Sequence, residues 1–153
     1  MSARGARTAE GDAATAVFLE LFRVNGLLLT AGNRLAAREG LTAARWQVLG
    51  AVALVGRPLT VPQIARRMGL TRQAVQASVN RLLAEALVEA RDNRDHHRSP
   101  LIGLTNLGRQ KYAAVDRRQA RWINELSAGL NITDLAVAAR VVGELGDRLE
   151  TNE

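Results

Sequence analysis

The chain has 153 residues, a length that suits one domain better than two. It contains no cysteine, which excludes disulfides, cysteine-based zinc sites, thiol nucleophiles and thiol redox switches. Its net charge is +6, and every basic residue except Lys111 is arginine, whose flat charged group suits phosphates and guanine edges. The base composition of the coding genome explains the arginine content equally well.

No signal pattern is visible at the N-terminus. The longest apolar stretches, for example residues 27–29, are too short to cross a bilayer. We therefore predict a cytoplasmic protein that has no membrane partner.

The positive charge is concentrated in the middle of the chain. Residues 57–81 hold five arginines and no acidic residue, whereas residues 131–153 hold five acidic residues and two arginines. The surface of a soluble globular protein usually carries positive and negative side chains intermixed. This separation of charge therefore favours one positive surface that faces an anion.

The first half of the chain predicts an arm and two helices. Residues 1–12 are small, polar and without periodicity, which predicts a disordered arm. Apolar residues at helical spacing predict a helix to about residue 38, ended by Gly40, and a second helix that Thr42 caps and that stops near residue 56. The spacing is carried first by Val17, Leu21, Val24 and Leu28, flanked by Phe18 and Phe22, and then by Trp46, Leu49, Val52 and Ala53.

A helix-turn-helix motif follows. Thr60 stands three residues before Gln63, which is a capping-box spacing, and Gly69 ends that short helix. Thr71 caps the next helix, so the two helices are joined by a tight turn at residues 68–71. The buried stripe of this second helix is predicted to be Val75, Val79, Leu82 and Ala86.

Successive residues of a helix are rotated by about 100° around its axis, so the buried stripe determines which residues lie on the opposite, solvent-facing side. Amide side chains on the opposite face can bond adenine, and the methyl group of Ala77 can contact thymine. Arg72, at the N-terminal turn, suits phosphate or guanine. The predicted DNA contacts of this helix are Thr71, Arg72, Gln73, Gln76, Ala77, Asn80 and Arg81. An ordinary solvated face is the alternative, although such a face usually carries glutamate, and none occurs before Glu85.

Residues 87–89 and 101–104 predict two short strands joined by a long charged tip, which is a wing. The tip offers cations to the minor groove or its phosphates, and these are Arg91, Arg94, His97 and Arg98. Asp92 and Asp95 are expected to pair with neighbouring arginines and to hold the tip in one shape. A metal site at His96 and His97 is not predicted, because zinc needs three or four convergent ligands.

Two further helices complete the chain. Thr105 caps the first, and a break at Asn131 separates it from the second. Their apolar seams comprise Tyr112, Val115, Trp122, Leu126 and Leu130, and then Leu135, Val142, Leu145 and Leu149. These seams leave more apolar surface than a small winged domain covers, which predicts an oligomer.

This order of parts resembles the MarR family of winged-helix transcriptional regulators. The resemblance is carried by residues 41–49, 59–68, 71–82 and 87–89, by the wing segment 91–101 and by the closing Leu104-Thr105…Gly108. It covers roughly residues 15–150. Its motifs are specific in combination though weak singly.

The resemblance implies a mainly α (α+β) fold, a winged helix-turn-helix with long N- and C-terminal dimerisation helices and a two-stranded wing. A single domain over residues 13–153 would hold the winged motif at about 42–104, between dimerisation helices at about 13–38 and 105–150. A homodimer would bind double-stranded DNA at a near-palindromic operator, usually as a repressor. A small aromatic or lipophilic effector would bind between the dimerisation helices and the DNA-binding lobe, near Phe18, Phe22, Asn25, Trp46 and Trp122, although plain core packing also explains these aromatics.

Two other functions remain open on the sequence alone. One is a small-molecule-binding protein, and the other is a non-specific architectural DNA binder with the same fold. No Gly-rich phosphate loop, nucleophile-elbow serine or zincin histidine pair occurs, so neither an enzyme nor a cofactor is predicted.

Overall fold

The computed structural model describes residues 6–151, which divide into two compact units between Arg118 and Gln119. The first unit carries α1 (Ala9–Ala36), a 3-10 helix (Ala37–Glu39), α2 (Ala43–Val55), α3 (Val61–Met68), α4 (Arg72–Ala84), β1 (Val88–Arg91) and β2 (Leu101–Leu104). Helix α5 (Asn106–Leu126) crosses the boundary, and α6 (Ile132–Thr151) belongs to the second unit. The predicted fold class, mainly helical with a two-stranded wing, is confirmed.

Threonine side chains begin the helices of the winged motif as predicted. Thr42 and Thr71 each accept a hydrogen bond from the backbone N–H three residues later. Thr60 and Gln63 form a complete capping box, in which each side chain accepts from the backbone of the other. Gly69 then ends α3 in the left-handed region, with φ 60°, and this turn directs the chain into α4.

The core of the first unit lies among α2 to α5 and the strands. Its largest fully buried side chains are Val48, Leu49, Leu59, Ile64, Val75, Val79, Leu82, Leu87, Ile102 and Val115. Burying each of these side chains contributes roughly 1.5–3 kcal/mol. Because Val75, Val79 and Leu82 belong to this cluster, the rotation of α4 about its axis is fixed by the core.

The wing is an antiparallel pair whose register runs from Val88 opposite Leu104 to Arg91 opposite Leu101. Leu59, in the segment before α3, adds a further bridge to Ile102 in β2. Its N–H donates to the Ile102 carbonyl at 3.0 Å, and its carbonyl accepts from the Ile102 N–H at 2.7 Å. The sequence pattern did not indicate this bridge, because one paired residue leaves no periodicity.

Some predicted boundaries were wrong. Helix α1 begins at Ala9 with Thr8 as its cap, so residues 9–12 are helical rather than part of an arm. Residues 1–5 of that predicted arm lie outside the described residues. Ala86 was placed on the buried stripe of α4, but the helix ends before it, and Ala86 is exposed with φ 54°. Leu130 likewise lies beyond the end of α5.

Several long helices keep apolar side chains on the surface. In α1, Phe22 is 77% exposed and Leu27 is 58% exposed. In the second unit, Leu135 and Leu149 of α6 are exposed, and α6 contains no buried residue among those described.

The segment Ala9–Glu39 is long and apolar enough to cross a membrane by length and composition alone, since an 18-residue window within it has a mean hydropathy of 1.4. The sequence prediction considered only uninterrupted apolar runs and therefore missed this property. One such helix is weak evidence for a membrane span, because buried core helices of soluble proteins and N-terminal signal sequences pass the same test, and the apolar window of this helix is near the N-terminus and exposed in the described structure.

Candidate nucleic-acid interface

Helix α4 presents a polar face opposite its buried stripe. Arg72, Gln73, Gln76, Ala77 and Asn80 are all exposed. Because the stripe is fully buried, this face cannot rotate inward without breaking the core. The predicted outward orientation is therefore present, and what the side chains contact remains a prediction.

Two of the amides on this face are bonded to each other. The Gln76 Nε2 donates to the Asn80 Oδ1 at 2.8 Å, one helical turn away. The Gln76 oxygen and the Asn80 nitrogen stay available, so the pair offers an acceptor and a donor side by side. The 76–80 pair is thus a preorganised unit that could read the edges of adjacent base pairs.

Arg81 was predicted as a cation at the flank of this face. Its Nε donates to the Glu85 carboxylate at 2.8 Å, so part of its charge is offset within α4. Arg45 of α2 binds the same carboxylate at 3.0 Å, and its side chain is only 15% exposed. Arg45 also donates to the backbone carbonyl of Gly40. These bonds connect the C-terminal end of α4 to the start of α2.

Glu85 and Arg45 were not among the predicted site residues. The spacing of Arg81 and Glu85 is a helical i,i+4 pair and could have indicated their contact. The contact with Arg45 spans 40 positions and has no local signal in the sequence.

The wing tip is organised by Asn93. This side chain is 8% exposed, its Nδ2 donates to the Ser99 carbonyl at 2.9 Å, and its Oδ1 accepts from the Asp95 N–H at 3.2 Å. The expectation that Asp92 and Asp95 pair with arginines was wrong, because neither carboxylate forms an ion pair within residues 6–151. An asparagine closing its own loop is a common turn device that sequence reasoning overlooked here.

The wing and α4 meet in a shared cleft. Arg72, Gln73 and Gln76 of the helix line it together with Arg98, Ser99 and Pro100 of the wing, and its volume is about 320 Å³. The structure thus brings one predicted helix cation, Arg72, and one predicted wing cation, Arg98, to one surface, whereas Arg81 does not line the cleft. Arg94 and His97 are exposed at the tip and do not line this cleft.

Arg91 was predicted to lie in the tip but is the last residue of β1. Its Nε donates to the Glu89 carboxylate at 2.9 Å, and it faces a different cavity from the one at α4. The strand is longer than predicted because Arg91 still pairs with Leu101.

Both histidines are exposed at the wing tip. His96 also lines a cavity of about 760 Å³ together with Arg57, Asp95 and Arg98, and His97 does not line it. Within the described part of the chain, no group of three His, Asp or Glu side chains could hold a metal ion.

The residues of the predicted effector pocket lie on three helices, α1, α2 and α5, and their part in binding an effector stays a prediction. Phe22 and Asn25 are exposed on α1, and Trp46 packs against the core with its indole Nε1 buried and unpartnered in residues 6–151. Phe18 is half-buried in the first unit, and Trp122 belongs to the second. None of the five lines the cavities beside the wing.

Comparison with known proteins agrees with this geometry. A sequence model of the MarR family matches residues 39–99, which run from the end of the 3-10 helix to the wing tip. An uncharacterised protein of Mycobacterium tuberculosis is 50% identical over 99 residues, covering 65% of this chain and 68% of that protein. The chain belongs to the MarR family.

More distant similarities extend over most of the chain. The transcriptional activatory protein BadR of Rhodopseudomonas palustris is 26% identical over 133 residues, covering 85% of this chain and 76% of BadR. The crystal structure of CouR from Rhodococcus jostii RHA1, bound to p-coumaroyl-CoA, superposes with a TM-score of 0.76. It is 22% identical and covers 85% of this chain and 91% of that one, so it supports the fold. This MarR-family protein is a DNA-binding transcriptional regulator.

Proposed function

We propose that the protein is a homodimeric regulator that binds double-stranded DNA at a near-palindromic operator. Helix α4 enters the major groove, and the wing contacts the neighbouring minor groove or its phosphates. The observation that carries this proposal is the cleft where Arg72 and Gln76 of α4 meet Arg98 of the wing. One surface then supplies amides for base edges and guanidinium groups for phosphates.

The proposed dimer is supported by the exposed apolar side chains of the long helices. Phe22 and Leu27 of α1 expose more than half of their surface, and so do Leu126 and Leu149 further along the chain. Exposed apolar area of this extent marks an association surface. A two-fold dimer would set two copies of α4 about 34 Å apart, one turn of B-DNA, which requires two symmetric half-sites.

We further propose that the protein acts as a cytoplasmic repressor that a small aromatic or lipophilic effector releases from DNA. Repression follows the usual behaviour that the family resemblance implies. The effector is supported by CouR, whose structure contains p-coumaroyl-CoA. BadR is named an activatory protein, so the direction of control needs its own measurement. Expression of a reporter fused to the target promoter should rise when the gene for this protein is deleted.

Fluorescence anisotropy tests the DNA-binding proposal. The full-length protein is titrated against the region upstream of its own gene and against the same sequence scrambled. We expect a ratio of affinities well above about ten, as specific regulators give. A ratio near one would indicate an architectural binder instead. Sedimentation of the free protein should give twice the mass of one chain, and a monomer would contradict the symmetric operator.

A further inference from the structure

Glu85 places a carboxylate at the end of the helix that carries the polar face. It is the C-cap residue of α4, and its backbone N–H donates to the Arg81 and Leu83 carbonyls. A negative charge is unfavourable at this end of a helix, because the last carbonyls already carry partial negative charge. Glu85 is stabilised there by two cations, Arg45 of α2 and Arg81 of α4.

Arg45 holds the Glu85 carboxylate from the protein side. Its Nη1 lies 3.0 Å from each of the two carboxylate oxygens. Its Nη2 donates to the Gly40 carbonyl at 3.1 Å, and its Nε donates to the Thr42 hydroxyl at 3.4 Å. Because three separate groups hold the Arg45 guanidinium, the carboxylate is anchored beside the start of α2.

Arg81 is the more loosely held of the two cations. Its side chain is 70% exposed, and its Nε donates to the Glu85 Oε1 at 2.8 Å. An exposed arginine without such a partner can extend toward any nearby phosphate. Since the carboxylate is anchored by Arg45, the ion pair draws Arg81 to Glu85.

The geometry of α4 shows where Arg81 is drawn. Residues four positions apart differ by about 40° around a helix axis. The steps from Ala77 to Arg81 and from Arg81 to Glu85 both turn away from the polar face at Gln76 and Asn80, toward the buried stripe. The cleft shared with the wing lies on the other flank of α4. Glu85 therefore holds Arg81 away from the polar face, on the side opposite the wing.

We propose that Glu85 withholds Arg81 from DNA phosphates and thereby lowers the affinity of the protein for DNA of any sequence. This inference rests on the DNA-binding role proposed above for α4. Arg81 can bind a phosphate only by giving up a charge-assisted hydrogen bond to Glu85, so the gain from the phosphate is offset. Arg45 is a positioning residue, because it acts only through the carboxylate that it holds.

The variant E85Q tests the proposal, since its amide oxygen can still accept from Arg45 while the negative charge is gone. Fluorescence anisotropy with the upstream DNA and its scrambled version measures affinity between 50 and 200 mM salt. We expect E85Q to bind both DNAs roughly fivefold more tightly than the unaltered protein at the lower salt. This advantage should shrink about 3.5-fold at the higher salt, as one additional phosphate contact gives.

Unchanged or weaker DNA binding by E85Q would overturn the proposal. Weaker binding would show that the carboxylate instead orients Arg81 for a phosphate. If the unaltered protein binds neither DNA, the proposed function fails. If it binds and E85Q does not bind more tightly, only this inference fails.

Two comparisons separate the role of Arg81 from a change of net charge. E20Q removes the same charge from an exposed ion pair with Arg23 on α1 and should change DNA affinity by less than about twofold. Equal tightening by E20Q and E85Q would contradict the proposal. In a chain that already carries R81Q, E85Q should no longer tighten binding. Persistent tightening would mean that Glu85 repels phosphates directly, which also overturns the proposal.

If E85Q does not fold, as judged by circular dichroism, R81Q alone tests the inference, because this side chain is largely exposed. A withheld arginine contributes little to phosphate binding. R81Q should therefore lower the magnitude of the salt slope by less than half as much as R98A does. An equal reduction by the two variants would show that Arg81 contacts phosphate despite Glu85, and the proposal would fail.

Discussion

Gly108 in α5 lies against the carbonyl oxygen of Leu87, so closely that a Cβ at position 108 would be 1.9 Å from that oxygen. Thr105 reinforces the contact, because its hydroxyl donates to the Ala86 carbonyl at 2.7 Å and also accepts from the Gly108 N–H. The entrance to the wing is therefore fixed directly on the first turn of α5.

We expect Gly108→Ala to destabilise the protein by about 3 kcal/mol or more, because the added methyl group forces two backbone segments apart. Urea denaturation at fixed protein concentration measures the change. Gly146→Ala is the matched control, since nothing lies within 4 Å of its added Cβ. The control should be neutral or gain up to about 1 kcal/mol from helix propensity. Similar effects of both substitutions would contradict the close contact.

Asn93→Ala should loosen the wing tip without melting the core. The substitution removes the bonds to the Ser99 carbonyl and the Asp95 N–H. Hydrogen exchange of residues 94–99 should accelerate, while exchange in α2 stays unchanged. Asp92→Asn should leave both regions unaffected. If Asp92→Asn accelerates hydrogen exchange at the tip as much as Asn93→Ala does, the conformation of the tip depends on the Asp92 carboxylate instead.

Gln76 and Asn80 should behave as one reading unit. Gln76→Ala is expected to relax base preference and to cost about 1–3 kcal/mol of operator affinity. Because the Gln76 amide bonds the Asn80 side chain, the double variant should cost less than the sum of the two single variants. Anisotropy with single-base operator variants measures this coupling. Additive losses of affinity would show that the two amides act separately. Equal weakening by Gln76→Ala on all DNA sequences would show that Gln76 does not recognise a base.

Arg98→Ala should weaken binding to every DNA sequence and lower the magnitude of the salt slope by about 1, as expected for one lost phosphate contact. Arg98 lines the cleft beside Arg72, so its guanidinium is within the proposed contact surface. Arg117→Ala, on α5, is the charge-matched control and should leave the slope unchanged. An unaltered salt slope for Arg98→Ala would show that Arg98 of the wing makes no phosphate contact.

Burial, and secondarily the charge of Asp116, raise the pKa of Tyr112 above its ordinary value. Since the folded state then holds this proton more tightly than the unfolded state, folding stability should fall as the pH rises from the ordinary tyrosine pKa through the folded one. Tyr112 is the single tyrosine, so ultraviolet absorbance of tyrosinate reports it alone. Asp116→Asn should remove only the smaller part of the shift. A return to the ordinary pKa in that variant would contradict burial as the main cause.

The sequence predicted the winged motif well because its signals are local. Caps such as Thr60 and Thr71, and the buried stripe at Val75 and Val79, each arise within a few residues of one another. The predicted outward amides followed from that stripe by helix geometry.

What the sequence did not predict depends on contacts distant in the chain. The meeting of Arg45 with Glu85 joins residues 40 positions apart. The tip was misread because charges drew the prediction toward ion pairs, whereas Asn93 satisfies the backbone with neutral hydrogen bonds.

The two hydrogen bonds between Leu59 and Ile102 have a mechanical consequence. They pair the segment that enters α3 with β2 as a third, short member of the wing sheet. The base of the hairpin therefore cannot bend independently of that segment. Any tilt of the hairpin about its root pulls on Thr60 and the start of α3. A force applied at the hairpin, whether by a groove of altered width or by a bound molecule, therefore reaches the helix-turn-helix through main chain alone.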